Sequence, residues 1–286
     1  IMAESLQQIK KRIKSADSIA QISKAMEMIA ASKIKKAQNA VEKNRPYAER
    51  VKYIVQKILA ENNNNTLNSS FVELKKKNIN NKLVYVVSPD KGLCGGLLAN
   101  IFKQVFHNVS KQDYVVAIGK KAQVFCVKNG FNVVASFNMG TLFPKYADIF
   151  PMLKIIQEFY QGNKISSVEV IYTYFKNRLV QESTLKVLAP IQKDENFVNK
   201  GDHVFEPSSS EVLDSLIPYY FEVIFYDILM NAYASEQAAR MASMSNAKEN
   251  AHEISSSLTM IYNKSRQEKI TNEILDLANG QIKSMI

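Results

Sequence analysis

Tryptophan is absent from the 286 residues, and cysteine occurs twice, at Cys94 and Cys126. Two isolated cysteines with no C-x-x-C spacing exclude a disulfide framework and a thiolate zinc site, and fit a reducing, cytosol-facing compartment. The three histidines, His107, His203 and His252, are scattered. None forms H-x-x-x-H or sits beside a cysteine, so neither a metal nor another cofactor is expected. No apolar run approaches the roughly 20 residues that span a bilayer, which predicts no direct membrane insertion. The first residues, IMAESLQQIKKR, lack an apolar signal core, and Met2 reads as the natural start.

Glycine and proline are missing over long distances. The first glycine is Gly92, the first proline Pro46, and residues 219–279 contain neither. Those 61 residues are rich in Ala, Glu, Met, Lys, Ser and Asn, which predicts one long helix. In the first segment Leu6, Ile9, Ile13, Ala16 and Ala20 follow 3–4 spacing, and Ile22, Met26, Ile29 and Ile34 continue it on a drifting face. In the last segment Ile254, Leu258 and Ile261 do the same. Pro46 either kinks the first helix or starts a second one. ENNNNTLNSS, residues 61–70, reads as a polar break and a mobile loop.

Length constrains the arrangement. Sixty-one helical residues span about 90 Å at ~1.5 Å each, whereas a compact globule of this size is roughly 50 Å across. The last helix is therefore expected to project and to bury its stripe against the first helix, in an antiparallel coiled coil. The stretches 25–40 and 232–251 are both rich in Ala, Ser and Met, side chains that let helix backbones approach closely. The methionines there read as packing.

Residues 80–200 have a different texture. KLVYVVS, DYVVAIG, FNVVASF, SSVEVIYTYF and STLKVLAP are β-rich, with helix-like stretches between several of them. That alternation predicts an α/β domain with a largely parallel sheet, antiparallel at one edge, and there is no internal repeat. The expected domains are a helical shaft, 1–60 with 208–286, and an α/β body, 80–200.

Charge is uneven. Residues 1–60 hold 13 Lys and Arg against 5 Asp and Glu, so +8 of the net +10 lies there. A basic helix is commonly a solvated face; nucleic acid, anionic lipid or an acidic protein surface are the functional alternatives.

Candidate chemistry centres on DKGLCGGLLAN, residues 90–100, three glycines between a strand and a helix. A P-loop needs G-x-x-x-x-G-K-[ST], and a dinucleotide loop needs G-x-G-x-x-G. The spacing Gly92, Gly95, Gly96, followed by Leu97, fits neither, so a tight strand-to-helix turn is expected, with Lys91 and free helix N–H groups available for a weak anion contact. No nucleophile elbow is present, and no catalytic residue is assigned. NKSRQEK, residues 263–269, is polar all round and interrupts the last helix's stripe, which resumes at Ile270, Ile274 and Leu277. It reads either as a solvated turn or as a contact patch for another protein. The C-terminal helix outruns the first by roughly 16–18 residues, about 25 Å, so its apolar tip needs a socket in a partner.

ISKAMEMIAASKIKKAQ, SPDKGLCGGLLAN, ASEQAARM and YNKSRQEKITNEILDLANG together resemble the gamma subunit of F-type ATP synthase, in the right order and across the whole chain. The pattern Ile270, Thr271, Glu273, Asp276, Gly280 is the most specific part; the family's usual Ala after that glycine is here Gln281. The resemblance implies a Rossmann-like middle domain and a non-catalytic central-stalk rotor. Its partners would be three alpha and three beta subunits, an epsilon subunit and the membrane c-ring, and it would transmit torque between ion flow and ATP chemistry on the beta subunits. It places Met26 against an acidic loop of the catalytic subunit, couples Arg240 to that region, and puts Arg266, Gln267, Thr271 and Glu273 at a catalytic-subunit loop. His203, Phe205 and Glu206 match the part that touches the rotor ring. No thiol switch is expected, because the chloroplast dithiol insertion is absent. The asparagine run and the absence of a transit peptide lean towards a bacterial protein, peripheral on the cytoplasmic face of the plasma membrane. The rival readings are a coiled-coil adaptor for nucleic acid, for which the basic helix has no aromatic reader, and a nucleotide enzyme.

Overall fold

A computed structural model describes residues 5–61, 80–162, 164–193, 197 and 205–283. The elements are α1 (Leu6–Glu61), β1 (Lys82–Val87), α2 (Leu97–Asn108), β2 (Tyr114–Ile118), α3 (Lys120–Lys128), β3 (Asn132–Phe137), a 3-10 turn (Tyr146–Ile149), α4 (Phe150–Gln161), β4 (Ser167–Phe175), β5 (Gln181–Ala189) and α5 (Ser209–Lys283). The fold is thus two long helices and an α/β sheet. The expected loop at 61–70 lies, beyond Glu61, outside the described residues.

Both long helices open on a serine cap, which in α1 is a full capping box, the serine and a side chain three residues on satisfying each other's free N–H groups. In α1 the Gln8 N–H donates to Ser5 Oγ and the Ser5 N–H to Gln8 Oε1. Before α5 the Glu211 N–H donates to Ser208 Oγ, and that hydroxyl donates to Glu211 Oε1. Pro46 does not start a second helix: α1 runs as one element through it. A mid-helix proline costs about 3 kcal/mol, and the buried Val41, Ala48, Val51, Val55 and Ile58 on either side of it offset that loss.

By contacts the chain divides into two units, Ile1–Ala30 with Met241–Ile286, and Ala31–Arg240. In the second, the sheet order is β3-β2-β1-β4-β5, with β1 parallel to β2 and β4, β2 parallel to β3, and β5 antiparallel at the edge. All five β-rich runs of the sequence are strands. The central strands are buried on both faces and alternate between two cores. Leu83, Tyr85, Val87, Val116 and Ile118 face α1, α4 and α5, where Tyr85 packs edge-on to Phe225 and donates its hydroxyl to the Met152 carbonyl at 2.8 Å. Val84, Val86, Val115 and Ala117 face α2 and α3, with both cysteines buried among them.

Candidate contact surfaces and the closed crevice

The first unit is a pair of helix segments. On α1 the shielded positions include Ile9, Ile13, Ala16, Ala20, Ser23, Glu27 and Ala30, in alternating steps of four and three; on α5 they include Met241, Met244, Lys248, Ala251, Ser255, Leu258, Tyr262 and Ser265, with Ser243, Ser245 and Ala247 also partly shielded. That is a heptad seam. It does not drift onto Ile22, Met26 and Ile29, as the large side chains suggested. Those three are exposed, as is Ile19, while Ser23 and Ala30 are buried. Ile254 and Ile261 are likewise exposed, flanking the buried Leu258. Two helix backbones held close together favour small side chains at the contact, so bulk is displaced outward.

Polar pairs bridge the seam. Lys248 Nζ lies 2.8 Å from Glu27 Oε2, and the Ser255 hydroxyl donates to Asp17 Oδ1 at 2.7 Å. The hydrogen bond from Lys248 holds the Glu27 carboxyl below its ordinary value, and the same bond raises Lys248. Met26 borders the exposed stripe with Ile19, Ile22 and Ile29.

From Arg266 to Leu277 every side chain of α5 is exposed, including Ile270, Ile274, Leu275 and Leu277. Arg266, Gln267, Thr271 and Glu273 all belong to this run. The Thr271 hydroxyl donates to the Gln267 carbonyl at 2.9 Å, and Lys269 approaches Glu273 at 3.8 Å. Gln267 and Thr271 are thus joined one turn apart, while Arg266 and Glu273 lie two turns apart on the neighbouring side of the helix. α5 continues through the site of Gln281, whose side chain lies outside the described residues.

In the second unit, Arg240 fastens α5 to the glycine-rich turn. Its Nη2 sits 2.8 Å from Glu236 Oε1 and 3.4 Å from the carbonyls of Lys91 and Gly92, and its Nη1 donates to Gln237 Oε1 at 3.3 Å. Both partners of the ion pair are largely shielded, at 14% and 12% exposure. Burial raises the Glu236 carboxyl, against the pull of Arg240. Sequence reasoning missed Glu236, because nothing local links it to residues 91 and 92.

The turn itself is pinned. Asp90 accepts from the N–H groups of Lys120, at 2.6 Å, and Gly140, while Ser88 Oγ accepts from the Ala122 N–H at 2.7 Å. In a sheet of this order, ligands bind beyond the carboxyl ends of β1 and β4, where the connections diverge to opposite sides. Here that crevice is lined by Ser88, Pro89, Asp90 and Thr173, and by Leu229, Ala232, Tyr233 and Glu236 of α5. The space left is about 30 Å³, room for only a few waters. Two carboxylates, Asp90 and Glu236, stand on its wall and α5 lies across it, a lining poorly matched to a nucleotide phosphate. DKGLCGGLLAN is a strand-to-helix turn, as its spacing predicted, with Leu93 and Gly95 at positive φ of 64° and 56°.

Phe205 is partly buried against the core beneath α5, Glu206 is exposed, and His203 lies outside the described residues. Among the described residues no group of three His, Cys, Asp or Glu side chains could hold a metal ion, and no helix is long and apolar enough to cross a membrane.

These features define a class: an α/β sheet protein with its ligand crevice closed by its own helix, and with two long paired helices, one of which carries an uncovered apolar end. The ATP synthase family profile matches residues 5–282. The chain is 36% identical over 277 residues to the ATP synthase gamma chain of Dehalococcoides mccartyi (strain CBDB1), covering 95% of this chain and 96% of that one. It is 32% identical over 286 residues to the gamma chain of Brevibacillus brevis, covering 98% of each. A chain of the Tetrahymena thermophila mitochondrial ATP synthase central stalk and c-ring superposes with a TM-score of 0.55 at 27% identity, over 79% of this chain and 99% of that one. A chain of the Euglena gracilis mitochondrial ATP synthase shares the fold, with a TM-score of 0.68 at 15% identity, over 98% of this chain and 94% of that one. The chain belongs to the ATP synthase gamma chain family.

Proposed function

We propose that this chain is the central-stalk rotor subunit of an F-type ATP synthase, transmitting torque between an ion-driven c-ring and a head of three alpha and three beta subunits, with an epsilon subunit alongside. It is non-catalytic; ATP chemistry belongs to the beta subunits. Family membership supports the role, and the single structural observation that carries it is the fully exposed end of α5, residues 266–277. A long helix whose Ile270, Ile274 and Leu277 lie open calls for a surrounding socket.

In this reading residues 1–60 with 208–286 are the shaft, and 80–200 the foot. Met26, Arg240, Arg266, Gln267, Thr271 and Glu273 serve contact with the catalytic subunits. Met26, Arg266, Gln267, Thr271 and Glu273 do so from exposed positions. Arg240, folded onto Glu236, serves by fixing α5 to the turn at Lys91 and Gly92. His203, Phe205 and Glu206 serve the rotor ring, and the bacterial relatives favour a peripheral position on the cytoplasmic face of the plasma membrane. The basic α1 suits electrostatic steering towards acidic loops without a tight lock. The test is the double variant Arg266→Ala, Gln267→Ala in the assembled complex. Coupled ATP synthesis is expected to fall while assembly persists; undiminished synthesis overturns the assignment of these two residues.

A further inference from the structure

The outer surface of α2 and α3 has a chemistry that the shaft reading does not use. These helices cover the sheet face opposite α1, α4 and α5. Residues 97–131 contain five lysines, Lys103, Lys111, Lys120, Lys121 and Lys128, no arginine, and one acid, Asp113. Asp113 is buried, and its carboxylate is engaged by the N–H groups of Lys82 and Ser110. Asp90, in the turn between β1 and α2, is directed onto the Lys120 and Gly140 N–H groups. Among the described residues none of the five lysines makes an ion pair.

Large apolar side chains sit among these charges. Val124 and Val127, one turn apart on α3, are 55% and 61% exposed, and Phe106 on α2 is 57% exposed. Phe106 leans edge-on against Phe125, which stacks on Phe102 at 3.8 Å between ring centres, so the apolar platform is rigid. Lys111 is held over Phe131 at 3.6 Å. The other four lysines are free to reach outward on flexible stems.

We infer that the α2–α3 face adsorbs to a membrane surface of anionic phospholipid, with the lysines meeting headgroup phosphates and Val124, Val127 and Phe106 meeting the interfacial region. The pairing of the lysines with exposed apolar side chains suits a bilayer interface, where charge meets headgroup phosphate and valine and phenylalanine meet the boundary with the acyl chains. Each lysine near such a surface contributes modestly and additively, so binding is weak, salt-sensitive and without register.

Because the chain has no tryptophan, Val127→Trp in the full-length protein is a single-site reporter. Its emission is expected to shift to the blue with vesicles of phosphatidylcholine and phosphatidylglycerol, and to stay unshifted with phosphatidylcholine alone. High salt should reverse the shift. Adding Lys120→Gln, Lys121→Gln and Lys128→Gln should weaken binding on the order of a hundredfold. The matched control Lys10→Gln, Lys11→Gln, Lys14→Gln on α1 should retain it. An unshifted reporter with both vesicle types overturns the inference. So does an equal loss in the α1 control, or a shift with polyglutamate that vesicles do not produce, which would assign the face to an acidic protein. The measurement uses the isolated chain, so its failure leaves the coupling experiment untouched.

Discussion

Glu27 and Lys248 stand 221 positions apart in the chain and meet at 2.8 Å on the seam of the paired helices. A heptad seam normally holds apolar side chains, and a charge pair there specifies register rather than adding much stability. It couples the two helix segments at one height.

That pair gives the helices a pH dependence. The Glu27 carboxyl is held below its ordinary 4.5 by the bond from Lys248. A depressed carboxyl contributes stability that is present above its unfolded value and lost as the pH falls through its folded value. Glu27→Gln should therefore melt below the parent at neutral pH, and the difference should close as the pH is lowered beneath 4.5. Thermal melts by circular dichroism across that range check it.

Neighbouring positions on α1 should respond oppositely. Ala30 is 1% exposed and Ile29 58%. Ala30→Leu forces bulk into a close helix contact and is expected to cost about 1–3 kcal/mol. Ile29→Ser removes an exposed side chain and should change stability by less than about 0.5 kcal/mol. Urea denaturation of the two variants decides it.

Two glycines near the crevice should also part company. Gly119 has φ 94°, and a Cβ there would lie 1.9 Å from the Ser88 carbonyl oxygen. Gly119→Ala should lose roughly 1–3 kcal/mol from conformation alone, with the clash adding to it. Gly96 has φ −77° at the start of α2, with nothing within 4 Å of its added Cβ. Gly96→Ala should be neutral or stabilising by up to about 1 kcal/mol. Thermal unfolding of both separates the cases.

Removing Arg240 leaves Glu236 shielded without its cation. Arg240→Ala is expected to cost about 2–3 kcal/mol. Burial already raises the Glu236 carboxyl, so the folded state takes up its proton more readily than the unfolded chain. An unpaired Glu236 is then most unfavourable at pH above its folded value, and the loss should shrink in acid. Adding Glu236→Gln should restore part of the stability at neutral pH. Denaturation of single and double variants at two pH values tests both statements.

Much of the fold is legible in the sequence for a local reason. Strands buried on both faces read as unbroken apolar runs, so Lys82–Val87, Tyr114–Ile118 and Ser167–Phe175 stand out. The long helices follow from missing glycine and proline. The serine caps at Ser5 and Ser208 are written in four residues each, with Gln8 and Glu211 three positions on. The seam was less legible. Ile22, Met26 and Ile29 carry the hydrophobic signal, yet Ser23, Glu27 and Ala30 make the contact, because which face is covered depends on how near the other helix lies.

The sequence by itself determined the element types, the parallel sheet with its antiparallel edge, and the structural character of the turn at Asp90–Gly96, since propensity and spacing act over a few residues. The tertiary structure alone decided what meets across long separations. It joined Glu27 to Lys248, aimed Arg240 at Lys91 and Gly92, laid Tyr233 and Glu236 over the crevice of β1 and β4, and left Arg266–Leu277 bare. Each of those outcomes depends on the distance between chain segments packed together in three dimensions, and no local pattern encodes that distance.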